Sequence, residues 1–207
     1  MNLPVGFDLP QLLALAATLG LASGLRLYAV VFLTGLAGHL GWVGLPPGLQ
    51  LLQSPLLLWG SGALMAVEFV ADKIPWVDSV WDAVHSFIRI PAGAALAYGV
   101  FGGAETSQAQ AWALLAALAG GTLAASAHAG KASTRAAVNH SPEPFSNWSL
   151  SLLGDLTVPG LLWLGWTHPW LALGLVLGML LLALGAVWLL GRFVGRLWRS
   201  RRSAPAG

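Results

Sequence analysis

Residues 169–191, PWLALGLVLGMLLLALGAVWLLG, run for 23 positions without a charged side chain. At about 1.5 Å per helical residue such a stretch reaches across a hydrocarbon core of about 30 Å. A segment this long and this apolar has few folding options, because in lipid every backbone amide and carbonyl must be satisfied within the chain, which an α-helix does by itself. The rest of the chain is of the same kind. Only 9% of its 207 residues are charged and 57% are hydrophobic, against roughly 25% charged in an ordinary soluble domain. The composition excludes a soluble globular domain and implies an integral membrane protein.

Further apolar runs occur at Leu9 to Ser23, Leu27 to Leu45, Pro55 to Ala71, Pro91 to Ala104, Ala109 to Ala127 and Trp148 to Trp166. The expected fold is all-α, a polytopic helical bundle of about seven membrane segments, six to eight, some short or re-entrant. Residues 1–191 form one transmembrane domain and residues 192–207 a basic tail. The first and fourth runs are shorter than the roughly 17–25 residues of a spanning helix, which marks them as tilted, re-entrant or extended by their neighbours. The amino terminus lacks the positive n-region of a secretory signal, so no cleaved signal is expected. The absence of cysteine rules out disulfides and thiolate chemistry.

The bases orient the bundle. With seven crossings and the tail inside, Arg26, Lys73, Arg89, Lys131 and Arg135 all fall on the cytoplasmic side, while LPPGLQLLQS and GGAETSQ carry no base, as the positive-inside bias requires. The expected setting is a bacterial inner membrane with a cytoplasmic carboxyl terminus. The five arginines of the tail read as an anionic-lipid contact rather than a nucleic-acid site. Gly20 and Gly24, Gly99 and Gly103, Gly174 and Gly178, and Gly191 and Gly195 have the spacing of close helix contacts, within this chain or in a homo-oligomer.

Against this background the charged clusters carry the chemical information. In MAVEFVADKIP, Glu68 and Asp72 share one helical face. They are candidates for proton binding or charge balancing, the alternative being ion pairing with Lys73 or with a base on another helix. In PWVDSVWDAVHSFIRI, apolar residues recur at helical spacing opposite a stripe of Asp78, Asp82, His85 and Arg89. This predicts a short amphipathic interfacial helix, although a face led by two aspartates suits protein or water better than anionic lipid. Asp78, Asp82 and His85 are the candidate ligands for a divalent cation; no other cofactor is implied.

The stretch HAGKASTRAAVNHSPEPFSNWS, residues 128–149, interrupts two apolar segments. His128, Lys131 and Arg135 lie on one helical face as an anion-attracting stripe. Pro142 and Pro144 stop that helix, and Ser146 or Asn147 caps the next, turning free amides toward the same region. Asp155, inside an otherwise apolar run, needs a basic partner, with Arg26, Lys131 and Arg135 as the candidates.

Three blocks, ASGLRLYAVVFLTGLAGHLG, EFVADKIPWVDSVWDAVHSFIRIPAG and HAGKASTRAAVNHSPEPFSNWSLSLLGD, resemble the signature blocks of a bacterial membrane family that carries a domain-of-unknown-function label, number 4126. The resemblance spans roughly residues 10 to 165. It implies an integral membrane fold and no particular reaction or site residues.

The leading functional expectation is transport or permeation of a small, anionic solute. Arg26, Lys131, Arg135, His128, Ser146 and Asn147 would bind it, and Glu68, Asp72 and Asp155 would take up protons or balance charge. One alternative is a structural or assembly protein whose ion pairs pin helices together. A second is a metal-dependent enzyme acting on a lipid or phosphate headgroup, with His85 or His128 as acid or base, although no HExxH or recognised nucleophile motif appears.

Overall fold

The computed structural model describes residues 6–74, 77–103, 106–138 and 144–202, with the side chains of 144–147, 195 and 197–202 excepted. Over these residues every regular element is a helix: α1 (Leu9–His39), a 3-10 helix (Pro47–Gln53), α2 (Pro55–Ala71), α3 (Val77–Phe101), α4 (Ser107–Val138), α5 (Pro144–Thr167) and α6 (Pro169–Arg202). By length and composition α1, α3, α4 and residues 169–194 of α6 are apolar enough to cross a membrane. The 3-10 helix and α2, bent by 70° at their junction, form a fifth candidate if they are taken as one span.

α1 contains the two first apolar runs and is broken between them. Asp8 caps its start, accepting the Gln11 amide at 2.8 Å, and Arg26 has non-helical backbone angles, φ −149° and ψ 86°. A straight helix of 31 residues would be on the order of 45 Å long. Yet the Gln11 side chain donates to the Trp166 carbonyl at 3.1 Å, and the Trp166 indole donates to the Gly44 carbonyl at 3.3 Å. Leu45 packs against Gly38 and Phe7 lies beside Gly44. Both ends of α1 therefore meet the same end of α5, and the helix doubles back at Arg26. Its first arm, 9–25, and second arm, 27–39, are the two legs of a hairpin.

Small residues let this hairpin into the middle of the bundle. The first arm runs beside α4 so closely that a Cβ on Gly20 would lie 2.6 Å from the Gly120 Cα, and one on Gly24 would collide with the Ala124 carbonyl. Gly62 of α2 meets the Phe32 ring of the second arm, and Gly48 and Gly99 meet backbone to backbone. Of the predicted small-residue pairs, Gly20, Gly24 and Gly99 thus sit in interfaces. Gly174, Gly178 and Gly191 face open space.

The amphipathic segment is not a separate interfacial helix. It continues through Pro91 into the fourth apolar run as α3, and Asp78, Asp82, His85 and Arg89 are all buried. The stripe was polar because it meets the charges of α2 and α4, a partner that periodicity alone does not reveal. Its opposite face, Val80, Val84 and Phe87, is exposed, as a lipid-facing stripe is. α5 begins at Pro144, earlier than expected, so Ser146 and Asn147 lie within its first turn rather than preceding it as caps. Their side chains, and Asn139 to Glu143, lie outside the described residues, as do Pro75 and Trp76.

Candidate functional site

The broken apex of α1, the end of α2, the first half of α3, the last part of α4 and the middle of α5 converge on one ion-pair network. Asp72, at the C-cap of α2, is its hub. Its carboxylate is 2.8 Å from Arg26, 3.3 Å from Lys131 and 3.5 Å from Arg135. Arg26 reaches Asp155 at 3.0 Å, which Lys73 also meets at 3.3 Å. Arg135 pairs with Asp78 and donates to the Asp72 carbonyl at 3.3 Å. Lys131 meets Asp82 at 3.0 Å, and Arg89, wholly buried, joins Asp82 at 2.7 Å to Glu68 at 2.6 Å.

Five bases and five acids take part: Arg26, Lys73, Arg89, Lys131 and Arg135 against Glu68, Asp72, Asp78, Asp82 and Asp155. The bases are all those of the chain outside its tail. Formal charge cancels, which is the condition for keeping so many ionised groups away from water. The break in α1 is stabilised by the same groups. Lys131 donates to the Leu25 carbonyl at 3.3 Å, and Arg26 donates to the Ser151 carbonyl and hydroxyl at 3.2 and 3.1 Å. Irregular backbone away from water is tolerated where protein groups satisfy it in this way.

The network is not symmetrical in what it shows to open space. A cavity of about 330 Å³ lies against it between α1, α4, α5 and α6. Three bases, Arg26, Lys131 and Arg135, line this cavity together with one acid, Asp72, while Thr134 and Thr157 add hydroxyls. Glu68, Asp78, Asp82 and Asp155 do not line it. The remaining wall is apolar and includes Leu150, Leu153, Met179 and Leu182.

A second cavity, about 290 Å³, opens between α3 and α4 beside Asp82, Ser86, His128 and Arg135. His128 belongs to this one. Its Nε2 is 2.6 Å from the Ser86 hydroxyl and its Nδ1 is 3.4 Å from Arg89, so it does not share the first cavity with Lys131. Arg135 lines both cavities.

The predicted cation site does not form. Asp78 is engaged by Arg135 and Asp82 by Arg89 and Lys131. His85 is stacked on Trp81 at 3.9 Å between ring centroids, with Nδ1 2.7 Å from the Trp81 carbonyl. Among the described residues no three His, Cys, Asp or Glu side chains are grouped to hold a metal ion. The guanidinium and ammonium groups of neighbouring helices occupy the carboxylates instead.

Of the other predicted residues, Arg26, Asp72, Lys131, Arg135 and Asp155 come together, and Glu68 joins them through Arg89 and Asp82. Arg89, Lys73 and Ser151 are members that the sequence did not single out as site residues. For Arg89 a signal existed, since it lies two helical turns beyond Asp82 on the buried stripe. For Ser151 there was none, because a serine one turn from an apolar helix end is indistinguishable from an ordinary helical serine.

Fold and site define an all-helical protein with several helices long and apolar enough to cross a membrane and a buried, charge-neutral network at the break of one of them. The chain belongs to the family described as Domain of unknown function (DUF4126), which it matches over residues 13–190. No curated protein and no solved structure matches it.

Proposed function

We propose that the protein is a permeation or transport protein for a small anion, embedded in the bacterial inner membrane with seven crossings and its tail in the cytoplasm. In this topology the two arms of α1 are the first two crossings and Arg26 is their inner turn. α2 to α6 are the other five, and the network lies toward the inner face, where the positive-inside bias favours bases. The observation that carries the reading is the cavity at the break of α1, with three bases against one acid on its charged wall. A broken helix that brings charged side chains to one wall of a pocket resembles the arrangement by which transporters hold a charged substrate within a bundle.

An anion entering that cavity competes with Asp72 for Arg26, Lys131 and Arg135. Release of the carboxylate changes the pairing of α2 with α1 and α4, which links occupancy to helix movement. Glu68 serves as the charge-balancing group: its buried Oε2, like Asp82 Oδ2, has no hydrogen-bond partner among the described residues, which leaves a position for a proton. Arg135, shared by both cavities, connects the anion site to His128.

Full pairing of the five bases supports a second reading, a structural protein whose network only holds the bundle together. Flux separates the two. In liposomes containing the purified protein, a panel of inorganic and organic anions is expected to reveal one that crosses, with at least a tenfold loss in Arg135→Gln and in Lys131→Gln. If no anion crosses with the folded wild type, transport is wrong and the structural reading stands.

A further inference from the structure

The walls of the first cavity say more about its ligand than its bases do. Leu153 of α5 and Leu182 of α6 line the cavity and are also 61% and 75% exposed. In a bundle whose outer surface carries Leu156, Trp163, Leu171, Leu175 and Leu181, exposure on these two helices means exposure to acyl chains. The cavity therefore has its mouth between α5 and α6, toward lipid. The two helices diverge in partner, since α5 packs mainly on α1 and much less on α6, while α6 is pressed against α4 at Gly130 and Ala183.

A compact hydrophilic anion fits such a site poorly. Crossing a rim of exposed leucines would strip its hydration before any base is reached, and once bound it would leave Leu150, Leu153, Met179 and Leu182 lining water. An alkyl chain covers these side chains and keeps its charged end at Arg26, Lys131 and Arg135. The volume, about 330 Å³, falls at the lower end of the range of about 300–1,000 Å³ for small-molecule sites, enough for a headgroup and the first part of a chain whose remainder stays in the bilayer.

We infer that the ligand of this cavity is an amphiphilic anion, a phosphate or carboxylate bearing an alkyl chain, which enters sideways from the bilayer between α5 and α6. The inference rests on the anion site proposed above and specifies its substrate class. A membrane phospholipid and a free alkyl phosphate or fatty acid share this chemistry.

The test uses the full chain in neutral-lipid nanodiscs, with thermal unfolding as the readout. The probes are decyl phosphate below its micellar concentration, inorganic phosphate, and decyl trimethylammonium as a chain of the same length and opposite charge. Decyl phosphate is expected to raise the melting temperature where the other two do not. Leu153→Trp, which fills the mouth without touching an ion pair, is expected to abolish that shift. Leu156→Trp, on the same helix and 76% exposed but outside the cavity, is expected to keep it.

Equal stabilisation by inorganic phosphate, undiminished in Leu153→Trp, overturns the amphiphile inference and leaves the anion site standing. Equal stabilisation by the cationic chain, or none by any probe, removes both. Replacing a tenth of the neutral lipid by phosphatidic acid, without added decyl phosphate, assigns the source. A shift there that Leu153→Trp abolishes identifies a membrane lipid as the natural ligand, and its absence beside a decyl phosphate shift identifies a free amphiphile.

Discussion

α1 and α6 are both apolar enough to cross a membrane, and they are used in opposite ways. Of the most apolar 18-residue window of α1, 72% is buried inside the protein, against 11% for α6, which is the more hydropathic helix. In water the most apolar helix would be the core. In lipid the ranking inverts, because burial against protein offers an apolar side chain little that acyl chains do not, and helices associate through close packing and polar contacts. α1 has what association needs, with Gly20 and Gly24 for backbone approach and Arg26 for the network, and α6 has leucines on nearly every face.

The contrast can be broken at matched substitutions. The largest effect is expected at the glycines. Gly20→Leu places a side chain where the Cα and carbonyl of Gly120 already stand, whereas Gly178→Leu enters space with no atom within 4 Å. The first is expected to yield no folded protein on size-exclusion chromatography in detergent and the second to leave the profile unchanged. Equal behaviour would mean that α1 and α4 are not pressed together as described.

Next in size is the removal of Arg89, which strands Glu68 as a buried carboxylate and leaves Asp82 with Lys131 alone. Arg89→Ala is expected to cost about 3–5 kcal/mol in unfolding free energy, with part of the loss recovered in the double variant with Glu68→Gln. A loss no larger than that of Arg192→Ala, whose guanidinium lies over Trp188 on α6, would show that the network does not stabilise the bundle.

Packing should then divide the two helices directly. Leu19 of α1 is completely buried and Leu184 of α6 is half exposed. Leu19→Ala is expected to cost about 2–5 kcal/mol, and Leu184→Ala to stay within about 0.5 kcal/mol. An equal cost for both would mean that α6 is covered by another copy of the chain, and analytical ultracentrifugation of the same samples would show the association. Between these lies Arg26→Lys, which keeps the charge and loses the guanidinium whose Nη2 reaches Asp72, Asp155 and Ser151. Its expected cost is about 1.5–3 kcal/mol, the range for hydrogen bonds to charged groups.

Much of the helical plan was legible before any coordinate. Two apolar runs flanking Arg26 become two arms, and the turn between them falls at the ASGLR stretch because small residues permit the approach to α4 and an arginine has partners waiting there. Asp155 needed a base and found Arg26. The fusion of residues 77–90 with the apolar run after Pro91 was not legible, since an amphipathic stripe looks the same whether its polar face meets water or the charges of α2 and α4. The metal site failed for a related reason. Asp78, Asp82 and His85 share a helical face, but which cation each carboxylate meets depends on helices far away in sequence. Arg89 went unassigned because its importance lies in bridging α2 to α3.

By itself the sequence determined that this chain folds as helices, which segments are long and apolar enough for a membrane, and that its isolated charges must find one another, because each rests on local composition and on the cost of ions in an apolar medium. Only the tertiary structure decided that Asp72 gathers three bases, that a cavity is left beside them, and that the other acids are kept out of its wall. Those facts depend on helices packed through glycines at chosen depths, and the depth at which two helices cross is a property of the pair.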